Sequence, residues 1–331
     1  MKFLVIGGGS IGKRHIKNLK ALGYEDIYCL KRNYSPDFEA ETSAKVITQK
    51  DTEKLSSLDA VIVCTPTSLH LDGMALAKRM GASIFMEKPL IDTKIGLDYA
   101  KKQYATLERT FFIGFMLRYH PMVQQLKKLI EEAPLGQIYN ARLEFGSFLP
   151  YWHPWEDHTT GYAALKNMGG GVVNTICHEL DLMLHFFGLP LAAYCEKANF
   201  NLIKIEAEEI AEAVFSYGDK LVTLHLDYLQ KDYDRRITLL AEQGKITWNW
   251  HENEIKVFPH KGEAYVYATL NDFDVNKLYI DELKHFIELH EQNQKTHDLD
   301  FDYALLHTEV LMKLHESADK GQKIYINHKS K

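Results

Sequence analysis

The 331-residue sequence has little that marks a secreted, membrane-bound or nucleic-acid-binding chain. Its four cysteines, Cys29, Cys64, Cys177 and Cys195, lie far apart, without C-x-x-C spacing, each in an apolar run where a thiol behaves as a small hydrophobe. That argues against a disulfide framework or cysteine-rich zinc site and points to a reducing, cytoplasmic setting. No apolar run approaches the roughly 20 residues that a membrane helix needs. The opening MKFLVIGGGS passes from a short apolar run straight into glycines, so no signal peptide is expected. Neither sign of charge dominates. The net charge of -6 is spread without an acidic or basic tail, which argues against nucleic acid and membrane surfaces as partners. Internal repeats and low-complexity linkers are also lacking.

What is present is a change of rhythm. A single core stops growing at about 250 to 300 residues, so two domains are expected. Through residue 118, apolar runs at 2–6, 26–30, 59–64, 83–87 and 110–116 alternate with stretches of helical spacing, the pattern of a doubly wound parallel sheet. From Tyr119 the pattern differs. A helix opened by Pro121 is followed by the long strand QIYNARLEFGSF, and residues 190–260 read as antiparallel strands with turns at YGDK and EQGK. Two amphipathic helices near 277–292 and 300–319 and a last strand, KIYIN, complete the chain. The expected division is therefore 1–118 and 119–331.

The strongest motif is FLVIGGGSIGKRH, in which Gly7, Gly9 and Gly12 form G-x-G-x-x-G between a strand and a helix. Gly7 permits the tight turn, Gly9 admits a pyrophosphate to the backbone, and Gly12 lets helix and strand pack closely. Ser10 and Ile11, inside the fingerprint, join this cofactor set at the helix N-terminus. At the end of the second strand, Lys31 and Arg32 stand where an NAD site usually shows Asp or Glu. A guanidinium grips a 2'-phosphate in a fork, so NADP(H) is favoured; NAD(H) is the alternative if the pair is a solvated basic loop. The strand AVIVC leads into Thr65, Pro66 and Thr67, which border the cofactor at the sheet's carboxyl edge. Thr67 or Ser68 reads equally well as a helix cap.

IFMEKPL raises a separate question, because it carries Glu87 and Lys88 to the end of an apolar strand. At that edge, Lys88 is expected near the nicotinamide, where an ammonium stabilises an oxygen gaining negative charge. The alternative is an edge lysine paired with a carboxylate such as Glu87. GGGVVNTICHELDLMLHFFG reads as one helix in which Asn174, His178, Asp181 and His185 share a face. His178 is the candidate proton-transfer group, with Asp181 to orient it; a structural hydrogen-bond network is the competing reading, and His185 is taken as structural. No metal is expected: leucine at position 182 breaks H-E-x-x-H, and His153 and His158 have no cysteines nearby. The aromatic loop with Trp152 and Trp155 reads as a carbohydrate surface or as a cluster closing the core edge.

The fingerprint, CTPTSLH, MEKPL, GFMLRYHP and GGGVVNTICHELD, in that order, resemble the Gfo/Idh/MocA oxidoreductases over nearly the whole chain. The resemblance implies a Rossmann domain followed by an α/β domain with an open, mostly antiparallel sheet, often used for dimer or tetramer contacts. It implies that Lys88 and His178 are catalytic and that Arg118 and His120 lie near the substrate; His70 and Glu87 are expected with the cofactor set, and Asn174 and the two tryptophans with the substrate. Family members commonly carry Asp where Asn174 stands. The expected activity is hydride transfer between NADP(H) or NAD(H) and a sugar, sugar nucleotide or cyclic polyol, with a narrower likeness to surface-sugar biosynthesis. The alternatives are a glycosidase using transient redox on bound cofactor and a non-catalytic cofactor-binding sensor or scaffold.

Overall fold

The computed structural model describes residues 1–55 and 57–326. Contacts divide the chain into two compact units, one of Met1–Met116 with Asp274–Thr308, the other of Leu117–Phe273 with the chain from Glu309 onward.

Among the described residues, the first unit has a six-stranded sheet in the order β3-β2-β1-β4-β5-β6, with parallel pairing throughout. Its strands are β1 (Phe3–Ile6), β2 (Ile27–Leu30), β3 (Lys45–Ile47), β4 (Ala60–Val63), β5 (Ser83–Glu87) and β6 (Phe111–Gly114). The intervening helices are α1 (Ser10–Ala21), α2 (Pro36–Thr42), α3 (His70–Arg79) and α4 (Lys94–Gln103). β1, β4 and β6 are buried at every position, as strands covered on both faces must be, which is why they read as unbroken apolar runs. The strand order reverses between β1 and β4, so their carboxyl ends diverge into the crevice where such sheets take ligands. A late segment returns to this unit: α8 (Asn276–Glu291) is joined to α1 by a reciprocal amide pair between Asn18 and Asn276.

The second unit has a nine-stranded sheet in the order β14-β13-β12-β11-β7-β10-β9-β8-β15. Its long central strand is β7 (Ile138–Gly146), and the others are β8 (Ala192–Ala198), β9 (Ile210–Ser216), β10 (Leu221–Asp227), β11 (Asp234–Ala241), β12 (Gly244–Asn249), β13 (Glu254–Pro259), β14 (Tyr265–Thr269) and β15 (Ile324–Tyr325). Among the described residues, only β7 and β10 of this sheet pair in parallel; the other neighbours are antiparallel. Burial alternates along these strands. In β9, Ala211, Ala213 and Phe215 face the core while Glu212 and Val214 face out. Helices α5 (Pro121–Glu132), α6 (Val172–Thr175) and α7 (His178–Phe187) pack on this sheet, and α9 (Phe301–Lys320) ends here. Trp248 and Tyr228 are its largest fully buried side chains, and burying such a side chain contributes about 1.5–3 kcal/mol or more.

The α/β fold with a parallel and then a mostly antiparallel sheet matches the expectation. One local reading is corrected. Residues 169–188 do not form a single helix: α6 stops at Thr175, Ile176 leaves the helical region with φ -100° and ψ 41°, and α7 starts afresh at His178. Asn174 therefore does not share a helix face with His178. The last strand is shorter than KIYIN, whose Asn327 lies outside the described residues.

Candidate active site

The glycine turn of the first unit is built by exclusion of side chains. Gly7 has φ +104°, and a Cβ there would lie 2.7 Å from the Cys64 carbonyl oxygen. A Cβ on Gly12 would lie 2.0 Å from the Gly7 carbonyl oxygen, so α1 approaches β1 as closely as only a bare α-carbon allows. Gly9 differs: it is the N-cap of α1, extended, and its Cβ position meets nothing within 4 Å. No side chain caps this helix start and no acidic residue lies in its first turn. Its free N–H groups thus face open space at Gly9 and Ser10, while Ile11 is half-buried behind them.

Thr65 lies beside this turn, its backbone nitrogen 3.1 Å from the position of a Gly7 Cβ, and its hydroxyl is buried without a partner among the described residues. A cofactor fits here: the uncapped start of α1 would hold the pyrophosphate, and the orphaned Thr65 hydroxyl with Pro66 and the buried Thr67 would border it. Lys31 crosses Gly8 and stands 4.1 Å over the Phe38 ring, whereas Arg32 is exposed. His70 is buried and joins two loops, its ring nitrogens 3.0 Å from the Thr65 carbonyl and 3.2 Å from that of Leu90. Burial holds its pKa below the ordinary value. It ties the turn after β4 to the one after β5, a role its place in the motif does not suggest. Glu87 closes β5 with its carboxylate 2.7 Å from His15 Nε2, and half-buried Lys88 follows, joined to Pro89 by a cis peptide bond.

In the second unit, the loop before α6 is again glycine-driven: Gly169 and Gly171 have φ +81° and +106°, and a Cβ on Gly170 would lie 2.3 Å from the Tyr162 carbonyl oxygen. Asn174 holds this loop. Its amide group donates to the carbonyls of Gly169 at 3.2 Å and Gly170 at 3.3 Å, and its Oδ1 accepts from His315 Nε2 at 2.8 Å. A carboxylate here would set an anionic oxygen against two carbonyl oxygens, which gives a physical reason for Asn. Burial, and then the charge of Lys197, push His315 down to about 4; Lys197 Nζ donates to its Nδ1 at 3.1 Å.

His178 is buried as the first residue of α7. The two acids beside it are tied by arginines. Asp181 is fully buried in a fork of Arg118, with Nη2 2.7 Å from Oδ1 and Nε 3.1 Å from each oxygen. Glu179 accepts from Arg235 Nε at 2.6 Å, and that guanidinium lies 4.4 Å over the Phe145 ring. Arg118 and Asp181, singled out separately in the sequence, are thus brought together; Glu179 and Arg235 were missed, their signal being a charge at an inward position of an apolar helix and strand. His120 caps α5, its Nδ1 accepting from the Met122 N–H at 3.1 Å, and is ringed by Trp248, Trp250 and Phe273. Burial, and then the Arg235 charge, push it down to about 3. The tryptophans separate: Trp152 donates from Nε1 to Ser147 Oγ at 2.8 Å and meets Tyr228 edge-on, whereas Trp155 is 75% exposed.

Comparison with known proteins bears on the family and the fold. A sequence model described as "Oxidoreductase family, NAD-binding Rossmann fold" matches residues 1–115, and one described as "GFO/IDH/MocA C-terminal domain" matches residues 123–247. Inositol 2-dehydrogenase of Rhizobium meliloti (strain 1021) is 22% identical over 300 residues, 87% of this chain and 88% of that protein. Myo-inositol 2-dehydrogenase of Thermotoga maritima is 24% identical over 305 residues, 87% of each. Levoglucosan dehydrogenase, solved in complex with NADH and L-sorbose, shares the fold with a TM-score of 0.85 at 16% identity, covering 99% of both chains. Two models of one family thus account for most of the sequence, and the chain belongs to the Gfo/Idh/MocA oxidoreductases, with an NAD-binding Rossmann fold at its head.

Proposed function

We propose that this oxidoreductase transfers hydride between a nicotinamide cofactor and the hydroxyl-bearing carbon of a cyclic polyol, sugar or sugar nucleotide. The observation that carries the reading is the conjunction at the carboxyl ends of β1, β4 and β5: an uncapped helix start, an orphaned buried hydroxyl on Thr65, and Lys88 immediately after. Bound nicotinamide supplies the hydride acceptor or donor. In the oxidation direction, an imidazole nitrogen of His178 takes the hydroxyl proton while Lys88 Nζ stabilises the oxygen that gains charge; reduction reverses both roles. The dehydrogenase relatives act on inositols, and levoglucosan dehydrogenase was solved with a sugar, which supports a carbohydrate-like substrate. Arg118 and Asp181 act in this reading as a unit that fixes α7, with Asn174 holding the loop before it.

Exposed Arg32 and the absence of an acid at the end of β2 support NADP(H) over NAD(H). Residues 1–118 serve the cofactor and 119–331 the substrate and self-association, with segment 274–308 built into the cofactor-side unit. Tyr194, Val214, Leu221 and Val266 share the outer face of the nine-stranded sheet, exposed apolar residues that support a homodimer or homotetramer through it. Four buried free thiols support a cytoplasmic setting; no helix among the described residues is long and apolar enough to cross a membrane. Absorbance at the nicotinamide band, followed with NADPH or NADH against keto-sugars and inosose analogues, tests the reading. Turnover that vanishes in Lys88→Ala supports it; equal turnover by that variant overturns the assignment.

A further inference from the structure

Beneath Lys88, three titratable side chains of the first unit meet in a buried place. His15 on α1 is fully buried, Glu282 on α8 is 1% exposed, and Glu87 ends β5 between them. His15 Nε2 is 2.7 Å from Glu87 Oε1, and ligating atoms of all three residues lie within 4.8 Å of one another. His15 Nδ1 and Glu282 Oε2 are buried without a hydrogen-bond partner among the described residues, and Glu282 Oε2 lies 3.6 Å from where a Cβ on Gly114 would stand, Gly114 being the register partner of Glu87 on β6. Two acids in so dry a place do not both carry charge.

We propose that His15 and Glu282 are positioning residues for Lys88, acting through the Glu87 carboxyl group that they hold at the end of β5. This rests on the reading of Lys88 as catalytic. Burial, and then the charge of Glu87, push Glu282 well above the usual carboxylate range, so Glu282 brings an O–H donor. Glu87 then lies between the His15 ring on one helix, 2.7 Å from its Oε1, and the protonated carboxyl of Glu282 on another, with ligating atoms of the three within 4.8 Å of one another. β5 ends at Glu87 and Lys88 is the next residue, so fixing the Glu87 carboxyl group steadies the backbone from which Lys88 projects. The surrounding charge belongs to the same arrangement. Arg14 lies 4.4 Å over the Tyr279 ring and acts on Glu282, while Glu87 acts on Cys64 after β4 and on His70 in α3. The late α8 thereby has a part in the chemistry of a motif almost 200 residues earlier.

The test compares Glu282→Gln, which keeps an N–H donor in the place of the O–H, with Glu282→Leu and His15→Leu. Acylation of Lys88 is read by peptide mass spectrometry against a remote lysine, NADPH affinity by fluorescence, and turnover with the best carbonyl substrate. Glu282→Gln is expected to match wild type within about twofold, and the leucine variants to change Lys88 acylation and kcat about 10-fold or more with melting temperature retained. Should the leucine variants fail to fold, Glu87→Gln, isosteric and uncharged, makes the same comparison. Folded variants with wild-type Lys88 reactivity and kcat overturn the proposal. So does a stoichiometric divalent ion in the purified protein, since the same three groups would then be ligands. If acylation shifts as expected but Lys88→Ala still turns over, the catalytic reading fails while the positioning stands.

Discussion

The starts of α1 and α7 are handled in opposite ways. At Gly9 and Ser10 the helix start is bare, with no capping side chain over its backbone N–H groups. At His178 the helix start is crowded by side chains, with Glu179 and Asp181 each locked to a buried arginine. The first arrangement leaves no room for an added carbon at Gly7 or Gly12. The second tolerates small changes of shape but no loss of one charged partner.

The largest effect that would break this contrast belongs to the groups proposed to react. His178→Ala should lower kcat about 10²–10⁴-fold with NADPH affinity unchanged, measured by stopped-flow and fluorescence titration. An equal loss of cofactor affinity would mean that His178 serves the backbone-built site instead. Next comes the pair that ties α7: Arg118→Ala takes the guanidinium from buried Asp181 and should cost about 3–5 kcal/mol in urea unfolding, whereas Arg118→Leu with Asp181→Leu should recover most of it. Gly12→Ala should destabilise the first unit by about 3 kcal/mol or more and abolish cofactor binding, because its methyl group would meet the Gly7 carbonyl. Arg32→Ala should weaken NADPH binding about 10-fold while leaving NADH within about twofold, a calorimetric comparison that sharpens cofactor choice.

The smallest effects concern pH and also lie in the second unit. A hydrogen bond to Asp227, and another to Glu212, push His225 up to about 9 against the loss from burial. Its stabilisation is therefore complete below about pH 6.5 and lost as pH rises toward 9. His315 runs the other way: held down at about 4, it stabilises above about pH 6.5 and loses that contribution as pH falls toward 4. Melting temperatures of His225→Gln and His315→Gln across this range should flatten the alkaline and acid limbs respectively.

Legibility in the sequence followed the same division. The run 83–87 coincides with β5, and the tail helices near 277–292 and 300–319 fall within a residue of α8 and α9. Periodicity sees such elements because burial imposes it locally. The break between α6 and α7 escaped because Ile176 and Cys177 continue a helical apolar pattern, and only φ and ψ end it. Pairings such as Arg118 with Asp181, or Asn174 with His315, join residues 63 and 141 positions apart. No spacing rule reaches that far.

By itself the sequence determined the glycine turn, the alternation of strands and helices, and the presence of a lysine and a histidine in the motifs of an oxidoreductase family. These follow from local sterics and hydrophobic period, which act over a few residues. Only the tertiary structure decided which charges are neutralised, that Asn174 clamps a loop, and that α8 returns to stand beside Glu87. Those outcomes depend on which distant side chains share a dry interior, where an unpaired charge is too costly to leave alone.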